Sequence, residues 1–139
     1  MTAEDDCPLC AKQRGVGPFV CPVIFSDDLV VVTHRATGSV GYVFIETTRH
    51  VAYVHQLTEA EAAAVGRIRT RVAAALAAEL PIDYVFAMVA GTGVAHFHEH
   101  VFVRHVGTPA DLPWGQPWSD APTGDIEALV GKLAARLLG

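Results

Sequence analysis

No stretch of these 139 residues approaches the run of about 20 apolar side chains that a membrane-spanning helix needs. A basic segment is also missing. Lys and Arg number 10 against 15 Asp and Glu, a formal charge of −5, which argues against duplex DNA or RNA as the partner. A mononucleotide stays open, because local fields matter more than the total. Cysteine is scarce, at three, and two of those fall in Cys7-Pro8-Leu9-Cys10. That fits a reducing compartment and a metal or redox role better than a disulfide scaffold. No linker or internal repeat divides the chain, so one domain over residues 1–139 is expected. The start, Met1-Thr2-Ala3-Glu4-Asp5-Asp6, is acidic rather than signal-like. The expectation is a soluble, cytoplasmic protein whose 51% hydrophobic content suffices for a core.

Against that background the stretch His96-Phe97-His98-Glu99-His100 stands out, holding three of the seven histidines. Side chains alternate faces along a strand, so these three imidazoles would form a row at intervals of roughly 7 Å. A helix would scatter them around its axis. Such a row can transfer protons, act as a nucleophile or ligate a metal near neutral pH. Ala95, Phe97, Glu99, Val101 and Val103 fall on the opposite face, four of them apolar, which is expected to pack on a helix.

Strand patterns occupy residues 19–25, 29–33, 40–46, 84–90 and 94–104, with turns at Ser26-Asp27-Asp28 and residues 35–39. Thr58 and Glu61 read as a capping box opening a helix with Val65, Ile68, Val72, Leu76 and Leu80 on one stripe; Pro81 stops it. Residues 107–123 form a proline-rich loop with Trp114 and Trp118, and residues 124–138 a C-terminal helix. For the two tryptophans, packing within the monomer, a dimer interface and stacking on a second base all remain open. Cys21, inside a strand pattern, is expected to be buried. Short turns between consecutive strands predict an α+β domain: a five-stranded, mostly antiparallel sheet with the long helix on one face.

The order His-Phe-His-Glu-His-Val-Phe after a Gly-Thr-Gly turn resembles the signature of the histidine triad family of nucleotide hydrolases and transferases. Cys7-Pro8-Leu9-Cys10, Ser26-Asp27-Asp28, Thr48-Arg49-His50 and Arg104 resemble further landmarks of that family, in order. The resemblance implies that His98 attacks the α-phosphorus of a dinucleoside polyphosphate or nucleoside phosphoramidate and forms a nucleotidyl-histidine. Neutral imidazole suits this role, with its second nitrogen donating to a main-chain carbonyl. His100 would hydrogen-bond a phosphate oxygen or assist the leaving group, and amides near Thr92 and Gly93 would cradle phosphate. His96 completes the catalytic row. Leu9 and Val32 would contact the nucleobase.

The resemblance also implies a structural zinc held by Cys7, Cys10, His50 and His96, as in related uridylyltransferases, and a homodimer joined through the helix and the strand near the triad. Two unligated thiols are the alternative for the cysteine pair. This chain departs from the family in three places. Thr92 and Gly93 stand where a glutamine or serine is common, His34 aligns with a ribose-gripping aspartate, and Glu99 fills a position normally apolar. Whether Glu99 meets solvent or an arginine is open. Two other functions remain open as well: a nucleotide-binding module with little catalysis, and a metal hydrolase using all three triad histidines.

Overall fold

Asp27 builds the first hairpin. Its Oδ1 accepts from the amides of Leu29 (2.8 Å) and Val30 (2.9 Å), reversing β1 (Val23–Ser26) into β2 (Val30–His34). The chain then returns as β3 (Tyr42–Thr47) through a turn in which Gly41 has φ +92°. A Cβ at Gly41 would meet Val103 Cγ2 at 2.6 Å, so only glycine fits. In this computed structural model, which describes residues 4–138, the remaining strands are β4 (Ile82–Met88) and β5 (His98–His105). Residues 1–3 of the acidic start, and residue 139, lie outside the described residues. The sheet order is β1-β2-β3-β5-β4 with every neighbouring pair antiparallel, as the α+β reading predicts.

Three helices accompany the sheet among the described residues: α1 (Pro8–Gln13), α2 (Glu59–Glu79) and α3 (Ile126–Leu138). The capping box forms as expected: Thr58 Oγ1 accepts from the Glu61 amide at 3.0 Å, and Glu61 Oε1 from the Thr58 amide at 2.8 Å. Val65, Ile68, Val72 and Leu76 of α2 join Leu129, Val130, Leu133 and Leu137 of α3 over Val30, Val32, Val43, Ile45 and Val101. This buried cluster is the core, on one face of the sheet. Glu99 points into the same face, 2% exposed, and is gripped by the Arg69 guanidinium from α2 (Nη2 to Oε2 3.0 Å). Arginine, not solvent, answers it. The other face carries Tyr42, Phe44 and Glu46 of β3 beside Phe102, His100 and His98 of β5, paired in that register.

Four differences from the sequence-based expectation have physical causes. The predicted strand over residues 94–104 begins only at His98, because the Phe97 amide bonds to the Val51 carbonyl rather than to a neighbouring strand. The strand over residues 19–25 shortens to start at Val23; Phe19 and Val20 are exposed, and Cys21 is half-buried rather than buried. The strand predicted at residues 84–90 moves two residues earlier. The α1 helix went unread: six residues give too little periodicity to detect.

Candidate functional site

His98 opens the site. Its Nδ1–H donates to the His96 carbonyl at 2.8 Å; a carbonyl can only accept, so the proton sits on Nδ1. In the neutral ring, Nε2 therefore keeps its lone pair. The His100 ring lies edge-on to it, centroids 5.3 Å apart at 63°. His100 Nδ1 is 2.8 Å from the Tyr42 hydroxyl. Burial, followed by the charge of neighbouring His98, holds His100 below the ordinary histidine value; burial pushes the Tyr42 phenol up, against the pull of Arg35. Both groups thus stay neutral at pH 7.

His96 departs from the row. Lying ahead of β5 and fully buried, it donates Nε2–H to the Thr47 carbonyl at 2.7 Å and turns Nδ1 to the sulfurs of Cys7 and Cys10, each at 3.4 Å. His50 Nδ1 is 3.5 Å from Cys10 Sγ, and the four ligand atoms lie within 4.8 Å of one another. Tetrahedral zinc with bonds of about 2.0–2.3 Å sets its nitrogen and sulfur ligands roughly 3.3–3.8 Å apart, and the three sulfur–nitrogen separations of 3.4, 3.4 and 3.5 Å fall in that range, so this donor set suits the ion. The chemistry agrees, since the His96 tautomer leaves Nδ1 available and Nε2 braced by a carbonyl. Burial, with the Cys7 thiol next, pushes the Cys10 thiol up to about 11. A bound divalent cation reverses that cost. Both His96 nitrogens are engaged, Nε2 by the Thr47 carbonyl and Nδ1 by the cysteine sulfurs, and among the described residues the group of side chains close enough to share a metal includes neither His98 nor His100. The three-histidine metal hydrolase finds no support in this geometry.

A cleft of about 320 Å³ adjoins His98 and His100, walled by Leu9, Phe19, Val20, Phe44 and Val94. That volume suits a small ligand. Its floor is polar in one place. The buried Lys12 ammonium, on α1, donates to Thr33 Oγ1 at 3.0 Å, pairs with Glu46 and lies 4.7 Å over the Phe44 ring. Gln13 adds a bond to Glu46 at 3.2 Å.

A second hollow of about 790 Å³ continues past His100. Arg35, Phe44 and His100 line both.

Of the residues read as nucleotide contacts, Leu9 is in the cleft wall. Thr92 and Gly93 lie exposed in the β4–β5 loop, immediately before Val94. Val32 and His34 sit on the core face, each 0% exposed, and neither lines a hollow. His34 braces the β2–β3 turn instead. Its Nδ1–H donates to the Arg35 carbonyl (2.8 Å) and its Nε2 accepts from the Gly41 amide (2.9 Å). It cannot replace a ribose-gripping carboxylate from there. Sequence reasoning missed Lys12, Arg35, Tyr42 and Glu46. The alternation of Tyr42, Phe44 and Glu46 was a usable signal, but only the β3–β5 register shows that they face the histidines.

Comparison with known proteins bears on this arrangement. The HIT domain family model matches residues 21–107, which include His50 and the triad. A zinc-bound histidine triad family protein from Mycobacterium smegmatis has a similar structure: TM-score 0.74, 20% identity, covering 98% of this chain and 96% of that one. A hypothetical histidine triad nucleotide-binding protein from Sulfolobus tokodaii superposes with TM-score 0.67 at 14% identity, over 91% of this chain and 87% of the other. A HIT family hydrolase from Clostridium thermocellum gives TM-score 0.57 at 20% identity, over 78% and 98%. These likenesses establish the shared fold. Among curated proteins there is no match.

Proposed function

The chain belongs to the histidine triad family, carrying its HIT domain over residues 21–107, and from that premise we propose that it hydrolyses nucleotides at the α-phosphate through His98. One observation carries the reading: the Nδ1–H bond to the His96 carbonyl leaves His98 Nε2 bare beside a cleft of nucleotide-compatible size. Nε2 attacks the α-phosphorus, and the bond to the leaving atom breaks with its electron pair going to the leaving group. The product is a nucleotidyl-histidine. Water then attacks the same phosphorus, the N–P bond breaks back to His98, and a nucleoside monophosphate departs. With Tyr42 O–H donating to its Nδ1, neutral His100 carries its proton on Nε2 and donates a hydrogen bond from it to the leaving atom, keeping the proton. Leu9 packs on the base, and the amides near Thr92 and Gly93 cradle phosphate. Dinucleoside polyphosphates and nucleoside phosphoramidates both offer the required α-phosphorus and leaving group.

Cys7, Cys10, His50 and His96 would hold zinc, which supplies no reactive group here and fastens α1 to the catalytic segment. The protein is read as a cytoplasmic homodimer, its free thiols suiting a reducing compartment. No helix among the described residues is long and apolar enough to cross a membrane.

His98→Asn should retain the fold by circular dichroism and lose roughly a thousandfold or more of nucleotide turnover. Unchanged turnover overturns the reading. A second reading, a nucleotide-binding module with little catalysis, draws on the exposure of Thr92 and Gly93. Calorimetric binding by the unaltered protein, without product, would identify it.

A further inference from the structure

Arg35 is a half-buried guanidinium without an acidic partner. Its Nε and Nη2 donate to the Ser39 carbonyl at 3.3 and 3.2 Å, and the group stacks 4.7 Å over the Tyr42 ring. No carboxylate among the described residues forms an ion pair with it or with Arg104, which is held by the Leu112 and Pro109 carbonyls (3.3 and 2.7 Å). Arginine half withdrawn from water and lacking a counter-charge is poised for an anion, above all phosphate. Its position matters more than its charge. Arg35 lines both the cleft beside His98 and the larger hollow beyond His100.

The larger hollow is built for a flat ring. Tyr42 and Phe102 stack with centroids 5.2 Å apart at 9°, and Phe102 continues to Trp114 at 6.5 Å and 17°. Trp114 packs against Phe102 and Phe86 yet is 56% exposed, so part of that indole remains available for stacking. A ligand that runs from His98 past His100 into this hollow meets a neutral imidazole, then a guanidinium, then an aromatic shelf flanked by Arg104. A phosphate chain ending in a nucleoside has that order of groups.

We propose that the hollow lined by Tyr42, Phe102 and Trp114 is the leaving-group compartment, that Arg35 grips the phosphates between the two halves of the substrate, and that dinucleoside polyphosphates are therefore preferred over phosphoramidates with small leaving groups. This rests on the assignment of His98 as nucleophile and deepens it. Arg35 and the shelf bind the departing half; His98 and His100 act on the bond that breaks.

The test compares binding by calorimetry of a mononucleotide (adenosine or guanosine monophosphate) with a dinucleoside tetraphosphate of the same base. Methylene groups replace the α,β-bridging oxygens of the latter to prevent cleavage. The dinucleotide should bind at least about tenfold more tightly and alone should quench tryptophan fluorescence. Arg35→Gln should weaken the dinucleotide about tenfold more than the mononucleotide, and Arg35→Lys, which keeps the charge, should restore part of that difference. Equal affinity for the two ligands, or equal weakening of both by Arg35→Gln with no recovery by Arg35→Lys, overturns the compartment while leaving the His98 reading intact. Failure of the mononucleotide itself to bind overturns both.

Discussion

A phenolic oxygen fixes what His100 can do. Tyr42 belongs to β3 and His100 to β5, 58 positions apart, and the 2.8 Å bond between them depends on the pairing of those strands. Tyr42→Phe keeps the ring that stacks on Phe102 and deletes only that oxygen. One hydrogen bond is worth about 0.5–1.5 kcal/mol, so kcat should fall roughly two- to twelvefold with KM little changed. A rise in KM with kcat preserved would instead make Tyr42 a binding group. Steady-state kinetics separates the two. His98 and His100 were legible because their period is visible in five letters. Lys12 and Arg35 were not, because nothing local marks them, and Tyr42 and Glu46 alternate visibly but are tied to the histidines only by the β3–β5 register. The mismatch of Glu99 with its family position was legible, its partner Arg69 was not: a contact across 30 positions leaves no trace in spacing.

Elements with punctuation at both ends were read correctly. Helix α2 has its capping box and Pro81, and the turn of the β1–β2 hairpin has Asp27, although β1 itself starts four residues later than expected. Elements defined by tertiary contact were read poorly, as with α1 and with β5, whose start is set by Phe97 bonding to Val51. The β2–β3 turn belongs to this second kind and carries a pH dependence. His34 accepts the Gly41 amide on Nε2, while His105 donates Nε2–H to the Val40 carbonyl at 3.0 Å and leaves Nδ1 buried without a partner. Burial lowers both histidines, more than their carbonyl bonds raise them. The unfolded chain thus takes up protons first as pH falls. Their contribution to stability is complete above about pH 6.5 and is lost as pH drops through the lower folded values. Urea titrations between pH 8 and 5 should show stability falling below about 6.5. His34→Gln should be less stable at pH 8 and show a shallower fall; an unchanged slope would remove His34 as a contributor.

Across the whole molecule, the sheet was legible as five antiparallel strands, but the insertion of β5 between β3 and β4 was not, since periodicity carries no strand order. That insertion leaves β4 on an edge, with Tyr84 61% exposed. Unpaired edges with exposed aromatic rings are general sites of pairing between chains, which agrees with the proposed zinc-holding homodimer. Native mass spectrometry should therefore report two chains with two zinc ions, and a metal-free monomer would contradict both expectations. The short α1 helix draws these scales together. Six residues cannot persist as an isolated helix; it stands because Cys7 and Cys10 are moored beside His50 and His96 while Lys12 and Gln13 are moored on Glu46. Leu9 and Lys12 give the cleft part of its wall and floor, so oxidation of either thiol would reach the substrate not through the reacting atoms but by setting that wall adrift. On the proposed function, thiol redox state and substrate affinity would be coupled through a segment that never touches the phosphorus.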